Sequence, residues 1–396
     1  MVSCLLAIIY LAFISLGLPD SLLGAAWPTI YPDIGVPMSR SGILFMIIAF
    51  GTVVSSLCSD RLTRKLGAGG VTACSVATTA IALLGFACSH SFLSLCLWAI
   101  PYGIGAGSVD AALNNYVALH YASRHMSWLH CMWGVGTVIG PYIMSHAMVG
   151  GTWHDGYRQI SWLQFGLTAL LIVSLPLWRK VKTRQATPEQ QTEAPSGKPL
   201  SFREILRLPG AKAVTICFFL YSGIEQTMSL WASSYLVTVK HIDTITAARF
   251  ASLFFIGITV GRGISGFVTM KVSDSGMIRI GEGIIGAAIL LMLLPFGKNL
   301  TLFAIILIGV GCAPIYPSII HSTPAHFGTS RSQAVIGVQM ACAYIGTLSL
   351  PPLFGWISAR IGLQILPIYL VVQLIAMIVL HEVLCRKTQH VSEAGT

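Results

Sequence analysis

Apolar residues gather in twelve long segments along this chain, and short polar turns separate most of them. The segments cover residues 4–30, 41–59, 70–88, 92–119, 128–150, 159–178, 211–237, 246–270, 277–295, 301–325, 334–358 and 363–384. A helix of about 20 apolar residues crosses the hydrocarbon core of a bilayer. The pattern therefore predicts an all-α membrane protein with twelve transmembrane helices.

The second half of the chain repeats the first at a constant offset of 206 residues, the difference between 223 and 17. Glycines at matching places in the apolar segments carry this repeat: Gly17 and Gly223, Gly51 and Gly257, Gly103 and Gly309, Gly105 and Gly311. Parallel repeats of six helices are typical of membrane carriers with a central cavity. We therefore expect two pseudo-symmetric six-helix bundles.

One long polar stretch divides the chain. Residues 179–210 are rich in Pro, Glu, Gln and Thr, a composition that cannot bury a core and is typical of a flexible tether. We predict an N-terminal bundle at 1–178, a cytoplasmic linker at 179–210 and a C-terminal bundle with a short cytoplasmic tail at 211–396. Within the linker, Ser201 and Glu204 are placed to open a short surface helix.

Charge is scarce and unevenly distributed. Only 10% of the 396 residues are charged, against about 25% in a soluble protein. Most of the 24 Lys and Arg flank the segments on one side, the pattern that marks the cytoplasmic face. The net charge of +10 therefore indicates which side of the membrane is cytoplasmic and does not indicate nucleic-acid binding. We expect a multi-pass protein of the cell membrane, in contact with lipids, with both termini cytoplasmic.

Enzyme and cofactor signatures are missing from the sequence. The ten cysteines are scattered without a Cys-x-x-Cys pair, no phosphate-binding Gly-rich loop occurs, and no nucleophile–base pairing is suggested. The extracytoplasmic loops are too short for a separate domain. We expect no cofactor, no metal and no enzymatic activity, and a monomer whose function lies inside the membrane.

Three carboxylates fall well inside the predicted spans: Asp20, Asp110 and Glu225. A charge in hydrocarbon costs several kcal/mol, so such a group faces a cavity, pairs with a neighbour or binds a proton. All three are candidates for proton coupling and for substrate contact. Asp20 follows Pro19, which weakens the helix as happens where backbone lines a cavity; a hydrogen bond that stabilises the kink is the alternative.

Asp110 and Asn114 are four residues apart and therefore share one helix face. Their carboxyl and amide groups suit the neighbouring hydroxyls of a polyol, whereas a structural bond to a facing helix is the alternative. On the repeat, Glu225 occupies the position of Pro19 and Gln226 that of Asp20. Glu225 is a candidate ligand or a partner for Arg262, which is a candidate gate residue.

Further polar and aromatic residues are candidates for the cavity, since flat rings stack on sugar C–H faces and amides read hydroxyls. The substrate-binding set comprises Asp20, Asp110, Asn114, Asn115, His130, Trp133, Glu225, Gln226, Trp231 and Gln339. Tyr235, Tyr316, Tyr344 and His321 are additional cavity candidates. Each of these residues alone is more often a packing residue.

The turn after the second segment, residues 59–67, places Asp60 before Arg61 and Arg64. An acid at a helix end followed by basic residues predicts a charge latch on neighbouring helices, with a plain basic turn as the alternative. This turn resembles the loop signature of the major facilitator superfamily, although Thr63 stands where the signature usually has glycine. The twelve segments, the central loop and the parallel repeat resemble that superfamily across nearly the whole chain.

Two stretches, residues 19–23 and 105–114, resemble the fucose-permease-like group of sugar–proton symporters. That group commonly has Glu where this chain has Asp110, and proline where it has Asn115. The resemblance implies that Asp20 and Asp110 are the proton and sugar carboxylates and that Asn114 is a substrate ligand.

We therefore expect a secondary transporter that couples a proton to a monosaccharide or related small polar solute by alternating access. A proton-driven exporter of amphiphilic drugs or metabolites is the rival hypothesis, and a membrane sensor or scaffold is a third.

Overall fold

The computed structural model describes residues 2–37, 40–185, 200–242, 244–294 and 297–393, and within these ranges it contains helices and no strand. The helices are α1 (Val2–Asp20), α2 (Leu22–Asp33), α3 (Ser41–Ala87), α4 (Phe92–His120), α5 (Ser123–Gly150), α6 (Trp153–Gln185), α7 (Phe202–Arg207), α8 (Ala211–Thr238), α9 (Thr244–Val268), α10 (Asp274–Leu293), α11 (Gly297–Phe327), α12 (Thr329–Ile361) and α13 (Leu366–Glu393). A short 3₁₀ turn, Leu363–Ile365, precedes α13. The predicted all-α fold is confirmed.

Each of the twelve predicted spans coincides with helical structure. Among the described residues, eight helices are long and apolar enough to cross a membrane, and one of these, α3, has 47 residues. A helix of that length would measure about 70 Å, more than twice a hydrocarbon core of about 30 Å, so α3 supplies two spans. The described part of α9, Leu253–Val268, is also apolar but shorter.

The second predicted span is longer than expected. The helix continues beyond residue 59 and the chain reverses at Gly67, whose φ of 72° and ψ of 164° interrupt α3. A positive φ is costly for any residue with a Cβ, so glycine suits this position. The predicted turn at residues 59–67 is therefore a single residue, and Asp60 lies on the helix before it.

The first predicted span is divided rather than continuous. Helix α1 ends at Asp20, Ser21 forms a turn, and α2 begins at Leu22. Pro19 has no N–H for the helical ladder, which weakens the helix at this depth. The break leaves Asp20 at a helix end.

The predicted linker has helical edges. Helix α6 extends to Gln185, and residues 186–199 lie outside the described ranges. The predicted short helix is confirmed as α7, where Ser201 and Glu204 form a reciprocal capping box. Such a box satisfies two backbone donors that the first turn leaves without partners.

The chain forms two compact units. The first comprises Met1–Tyr116 and Leu129–Pro199, and the second comprises Val117–Trp128 and Leu200–Thr396. The first unit has a core rich in large side chains, including Trp27, Phe86 and Trp153. In the second unit the largest buried side chains include Tyr221, Phe218, Phe254 and Phe354. The connection between α4 and α5 thus belongs to the second unit.

Glycine contacts repeat between the units at the predicted offset of 206 residues. A Cβ on Gly103 would overlap the carbonyl oxygen of Ile48, and a Cβ on Gly309 would overlap that of Phe254. Both residues of the second pair lie 206 positions after those of the first. Likewise Gly105 packs on residues 75 and 79, and Gly311 on residues 281 and 285. Small residues let helices approach closely in membranes, so each unit is built on one packing plan.

Large apolar side chains also cover the outer surfaces of the helices. Phe50 is 69% exposed and Val173 is 77% exposed, and both lie within candidate spans. Such a surface is unfavourable in water but suits lipid chains. The chain is a multi-pass membrane protein.

Candidate functional site

Asp20 forms the centre of a polar cluster in the first unit. Its Oδ1 accepts a hydrogen bond of 3.1 Å from the Tyr102 hydroxyl of α4, and its Oδ2 accepts one of 2.9 Å from the Trp133 indole of α5. The residue remains exposed although it lies in a candidate span. The carboxyl group is thus held by two donors and keeps accessible surface.

Asp110, Asn114 and His130 form a second cluster, a buried chain of hydrogen bonds. The Asn114 amide nitrogen donates to the backbone oxygen of Asp110 at 2.9 Å and to its Oδ1 at 2.8 Å. Asn114 Oδ1 lies 3.0 Å from His130 Nε2, so the ring carries its hydrogen on that nitrogen. The exposed fractions of the three residues are 5%, 0% and 5%. The predicted Asp110–Asn114 face therefore exists, and both amide hydrogens point to Asp110.

Helix α5 connects these two clusters. His130 and Trp133 are three residues apart and therefore lie on one helix face, each in contact with a different carboxylate cluster. Phe13 of α1 packs edge-on against the His130 ring at 5.4 Å. Asn115 is buried on α4 beside Asn114. The structure thus brings Asp20, Trp133 and His130 onto neighbouring helices of one unit.

Glu225 and Arg262 form an ion pair in the second unit. Arg262 Nη2 lies 3.7 Å from Glu225 Oε1, and the arginine is 3% exposed. Tyr221 donates a short hydrogen bond to Glu225 and contacts the carbonyl of Cys312 at 3.0 Å. The Arg262 guanidinium also lies 5.9 Å from the centre of the Tyr316 ring. Of the alternatives for Glu225, pairing with Arg262 is the one seen in this structure.

The other candidates of the second unit have different surroundings. The Trp231 indole donates to the carbonyl of Pro351 at 3.1 Å and packs edge-on against Phe354. Gln339 is fully buried, and its Oε1 accepts from Thr323 at 3.1 Å. Its Nε2 has no hydrogen-bond partner among the residues that the structure describes. Gln226 is half-buried beside Glu225. In this structure the Trp231 side chain packs within the second unit, and its contact with a solute stays a prediction.

The predicted latch residues pair within their own helix. Arg64 Nε lies 2.9 Å from Asp60 Oδ2, and the two residues are four apart on α3. Asp60 is buried with 7% exposure, whereas Arg61 is exposed. A pair at this spacing stabilises a helix by about 0.2–0.5 kcal/mol. The burial of Asp60 distinguishes it from a plain surface turn.

One further carboxylate lies within a predicted span and was not among the predicted site residues. Glu282 lies in α10, two turns inside a candidate span, with 4% exposure. Its Oε2 is 3.7 Å from Nδ1 of His381 on α13, which is 1% exposed. Glu282 belongs with the three acids predicted within spans, because the segment 277–295 contains it. The position of Glu282 within that predicted span could have identified it as a fourth candidate.

Tyr102 and Tyr221 were also missed, although both contact candidate carboxylates. Nothing in the sequence separates these tyrosines from core residues. In the described part of the chain, no group of three or more His, Cys, Asp and Glu side chains is arranged to hold a metal.

The sequence profile of the Major Facilitator Superfamily matches residues 9–347. With the helical repeat and the intramembrane carboxylates, this match defines the class of protein: the chain belongs to the Major Facilitator Superfamily and is a transporter.

Known relatives of the chain have several functions. It is 22% identical to Bypass of stop codon protein 6 of Saccharomyces cerevisiae, over 90% of this chain and 77% of that protein. It is 25% identical to a hexuronate transporter of Bacillus subtilis, over 68% of this chain and 66% of that protein. The fold is similar to a crystal structure of a variant of the fucose:proton symporter of Escherichia coli, with a TM-score of 0.76 and 14% identity over 96% and 98% of the two chains.

Proposed function

We propose that the protein is a proton-coupled symporter of a monosaccharide or related neutral polar solute, working by alternating access. It would act as a monomer in the cell membrane, with both termini cytoplasmic. Its proposed organisation is an N-terminal bundle at 1–178, a linker at 179–210 and a C-terminal bundle at 211–396. Asp20 and Asp110 are the proposed proton and solute carboxylates.

The observation that carries this proposal is the environment of Asp20. An exposed carboxylate beside an indole and a phenol combines a group that titrates with rings that stack on sugar C–H faces. The two hydrogen bonds from Tyr102 and Trp133 leave acceptor positions on the carboxylate oxygens for a solute hydroxyl. Protonation would remove the charge, whose placement within a span is costly.

The buried chain of Asp110, Asn114 and His130 supports a role in proton movement. Each member is within hydrogen-bond distance of the next, and two of the three side chains titrate. A solute oxygen that accepts a hydrogen bond from the Asn114 amide nitrogen must replace one of its two bonds to Asp110. Solute binding and the protonation of Asp110 would therefore be linked through one amide group.

The charge balance of the second unit favours a neutral solute over a sugar acid. Among the described residues, Arg262 is a buried cation within the predicted spans, and Glu225 already lies 3.7 Å from its guanidinium. An anionic solute would have to compete with Glu225 for Arg262. A neutral sugar makes hydrogen bonds without that competition, which separates the proposed function from hexuronate transport.

The rival function, export of amphiphilic compounds, has weaker support. Flexible methionine-rich surfaces are suited to varied apolar ligands. Met228 and Met340 are fully buried, and Met340 Sδ accepts a hydrogen bond from Tyr316 at 3.1 Å. These two methionines fill the core of the second unit in this structure, whereas Met132 on α5 is half-buried.

The test is uptake into liposomes that contain the purified protein, with a pH gradient acid outside. The probes are radiolabelled fucose, glucose, a hexuronate and the lipophilic cation tetraphenylphosphonium. We expect at least one neutral sugar to accumulate, and a protonophore to abolish the accumulation. Accumulation of the hexuronate alone, transport of the cation alone, or sugar equilibration that ignores the gradient would each contradict the proposal.

A further inference from the structure

The connection between α4 and α5 makes its described contacts within the second unit. Residues 117–128 contain the last turn of α4, two connecting residues and the first turns of α5. Trp128 donates its indole hydrogen to the carbonyl of Gly263 at 3.2 Å and packs edge-on against Phe267 of α9. We call residues 117–128 the α4–α5 connection.

His321 of α11 uses both nitrogens of its ring to link α10 to the α4–α5 connection. Nδ1 lies 2.6 Å from Oδ2 of Asp274, the first residue of α10. Nε2 lies 3.1 Å from the backbone oxygen of Tyr121 in the connection. The side chains of His321 and Asp274 are 18% and 17% exposed. The ring therefore links two separate acceptors in a mostly buried place.

The nature of these acceptors determines how many protons the ring carries. A backbone carbonyl oxygen can only accept a hydrogen bond, and an ionised carboxylate can only accept as well. A neutral imidazole has one N–H, whereas the imidazolium ion has two. Both contacts of His321 are hydrogen bonds at the same time only when the ring is protonated.

Asp274 is well placed to be the anionic partner. It opens α10, where the helix dipole favours negative charge, and Ser273 caps that end by accepting from the Gly276 backbone N–H. Its second oxygen, Oδ1, accepts a 2.5 Å hydrogen bond from the Ser123 hydroxyl of the α4–α5 connection. Asp274 therefore binds the connection directly through Ser123 and indirectly through His321.

Other titratable groups surround this contact. In the α4–α5 connection, the His125 ring lies against the Tyr121 ring at 5.7 Å, and Arg124 Nε lies 3.2 Å from His125 Nε2. Burial and the Arg124 charge lower the pKa of His125. On α11, half-buried His326 follows His321 by five residues. Asp274 is the anion in direct contact with the His321 ring.

We propose that His321 is a further proton-binding residue, and that its protonation holds the α4–α5 connection against α10 and α11. The residue is separate from the carboxylates Asp20 and Asp110, and the inference does not depend on which solute the protein carries. When the ring loses a proton, one nitrogen presents a lone pair to a carbonyl or carboxylate oxygen. The resulting repulsion replaces a hydrogen bond and releases the connection.

The direction of the pH effect follows from this count of protons. The contact needs the protonated ring, so it is complete at acid pH and weakens as the pH rises and His321 becomes neutral. Histidine is the side chain that titrates in this range. The α4–α5 connection is therefore held more firmly when the solution around it is acidic.

Hydrogen–deuterium exchange of the full-length protein in lipid nanodiscs tests the proposal. Exchange of the backbone amides of residues 117–128 is measured at about pH 5.5 and about pH 8.5, on either side of the ordinary histidine range. Conversion to protection factors removes the intrinsic effect of pH on exchange. We expect protection of this peptide to fall about tenfold or more at the higher pH, the effect of one charge-assisted hydrogen bond.

Two variants separate the proton on His321 from other effects. In Asp274→Asn, the amide can donate to Nδ1 of a neutral ring whose Nε2–H still donates to Tyr121. We expect protection in this variant to be similar at both pH values. In His321→Gln, no group can become charged, so protection should be low at both values. His326→Gln, on the same helix, is the matched control and should keep the wild-type pH dependence.

Several results of these measurements would overturn the proposal. Equal protection of the wild-type peptide at both pH values overturns the proposal without any variant. A pH dependence that survives in His321→Gln, or that disappears in His326→Gln, assigns the titration to another group and also overturns it. If His321→Gln does not fold, the wild-type measurement and Asp274→Asn still decide the question.

Discussion

At the scale of single residues, the two acids of the first unit have different surroundings. Asp20 is exposed and is held by side chains of α4 and α5, whereas Asp110 is buried and bound to Asn114 of its own helix. An exposed carboxylate can exchange a proton and a ligand directly, while a buried one depends on its neighbours. Asp20 is therefore the more direct place to test proton coupling.

Asp20→Asn should abolish accumulation driven by a pH gradient, because a carboxamide does not titrate, while solute exchange between two filled compartments continues. For one proton per solute, a gradient of about one pH unit supports an accumulation ratio of about ten, and this ratio should fall to one. The matched control is Asp33→Asn, since Asp33 also accepts an indole hydrogen bond, from Trp153 at 2.9 Å. Accumulation that persists in Asp20→Asn would disprove the role of Asp20.

At the scale of helices, the sequence predicted where the helices lie better than it predicted which side chains contact each other between helices. The apolar segments all coincide with helical structure, because a bilayer imposes a length that is visible in the sequence. The turn predicted at residues 59–67 is confined to Gly67, because residues 60–66 continue the helix although four of them are charged. Contacts such as Tyr102 with Asp20, 82 residues apart, depend on how helices pack, and a single sequence carries no signal for them.

Glu282 shows how an apolar segment can hide a buried acid–histidine pair between helices. Its segment remains strongly apolar as a whole, so one acid changes the pattern little. In the described part of the chain, Glu282 Oε1 and His381 Nδ1 have no hydrogen-bond partner, although the two side chains face each other at 3.7 Å. A buried pair of this kind contributes little net stability, but the loss of one partner is costly.

We expect His381→Ala to lower the stability of the protein by about 3–5 kcal/mol, because it leaves the Glu282 carboxylate buried without its partner. Glu282→Gln should cost less, since an amide carries no charge. The double variant should be more stable than His381→Ala alone. Thermal unfolding of the four proteins in one detergent measures this cycle, and additive losses would show that the two side chains do not interact.

At the scale of the whole molecule, the repeat predicted from glycine spacing appears as a repeat of contacts. Each unit places a glycine of its fourth span against a carbonyl oxygen of its second span, at positions 206 residues apart. The repeat in the sequence predicts these glycines but carries no signal for the residues that they contact. The positions where helix backbones contact each other therefore match between the two units. The polar site residues do not match, since Ile320 lies 206 residues after Asn114. The units therefore share a packing plan and differ in their polar sites.

If this plan determines stability, Gly103→Ala and Gly309→Ala should destabilise the protein by similar amounts, about 1–3 kcal/mol each, because each added methyl group overlaps a backbone oxygen. Each unit offers a control at a glycine with open space around it, Gly166 in the first and Gly283 in the second. Alanine at these control positions should be neutral or stabilising by up to about 1 kcal/mol, since it favours the helix. Thermal unfolding of the four variants measures these changes in stability. Unequal losses in Gly103→Ala and Gly309→Ala would mean that the two matching contacts do not contribute equally to the stability of the protein.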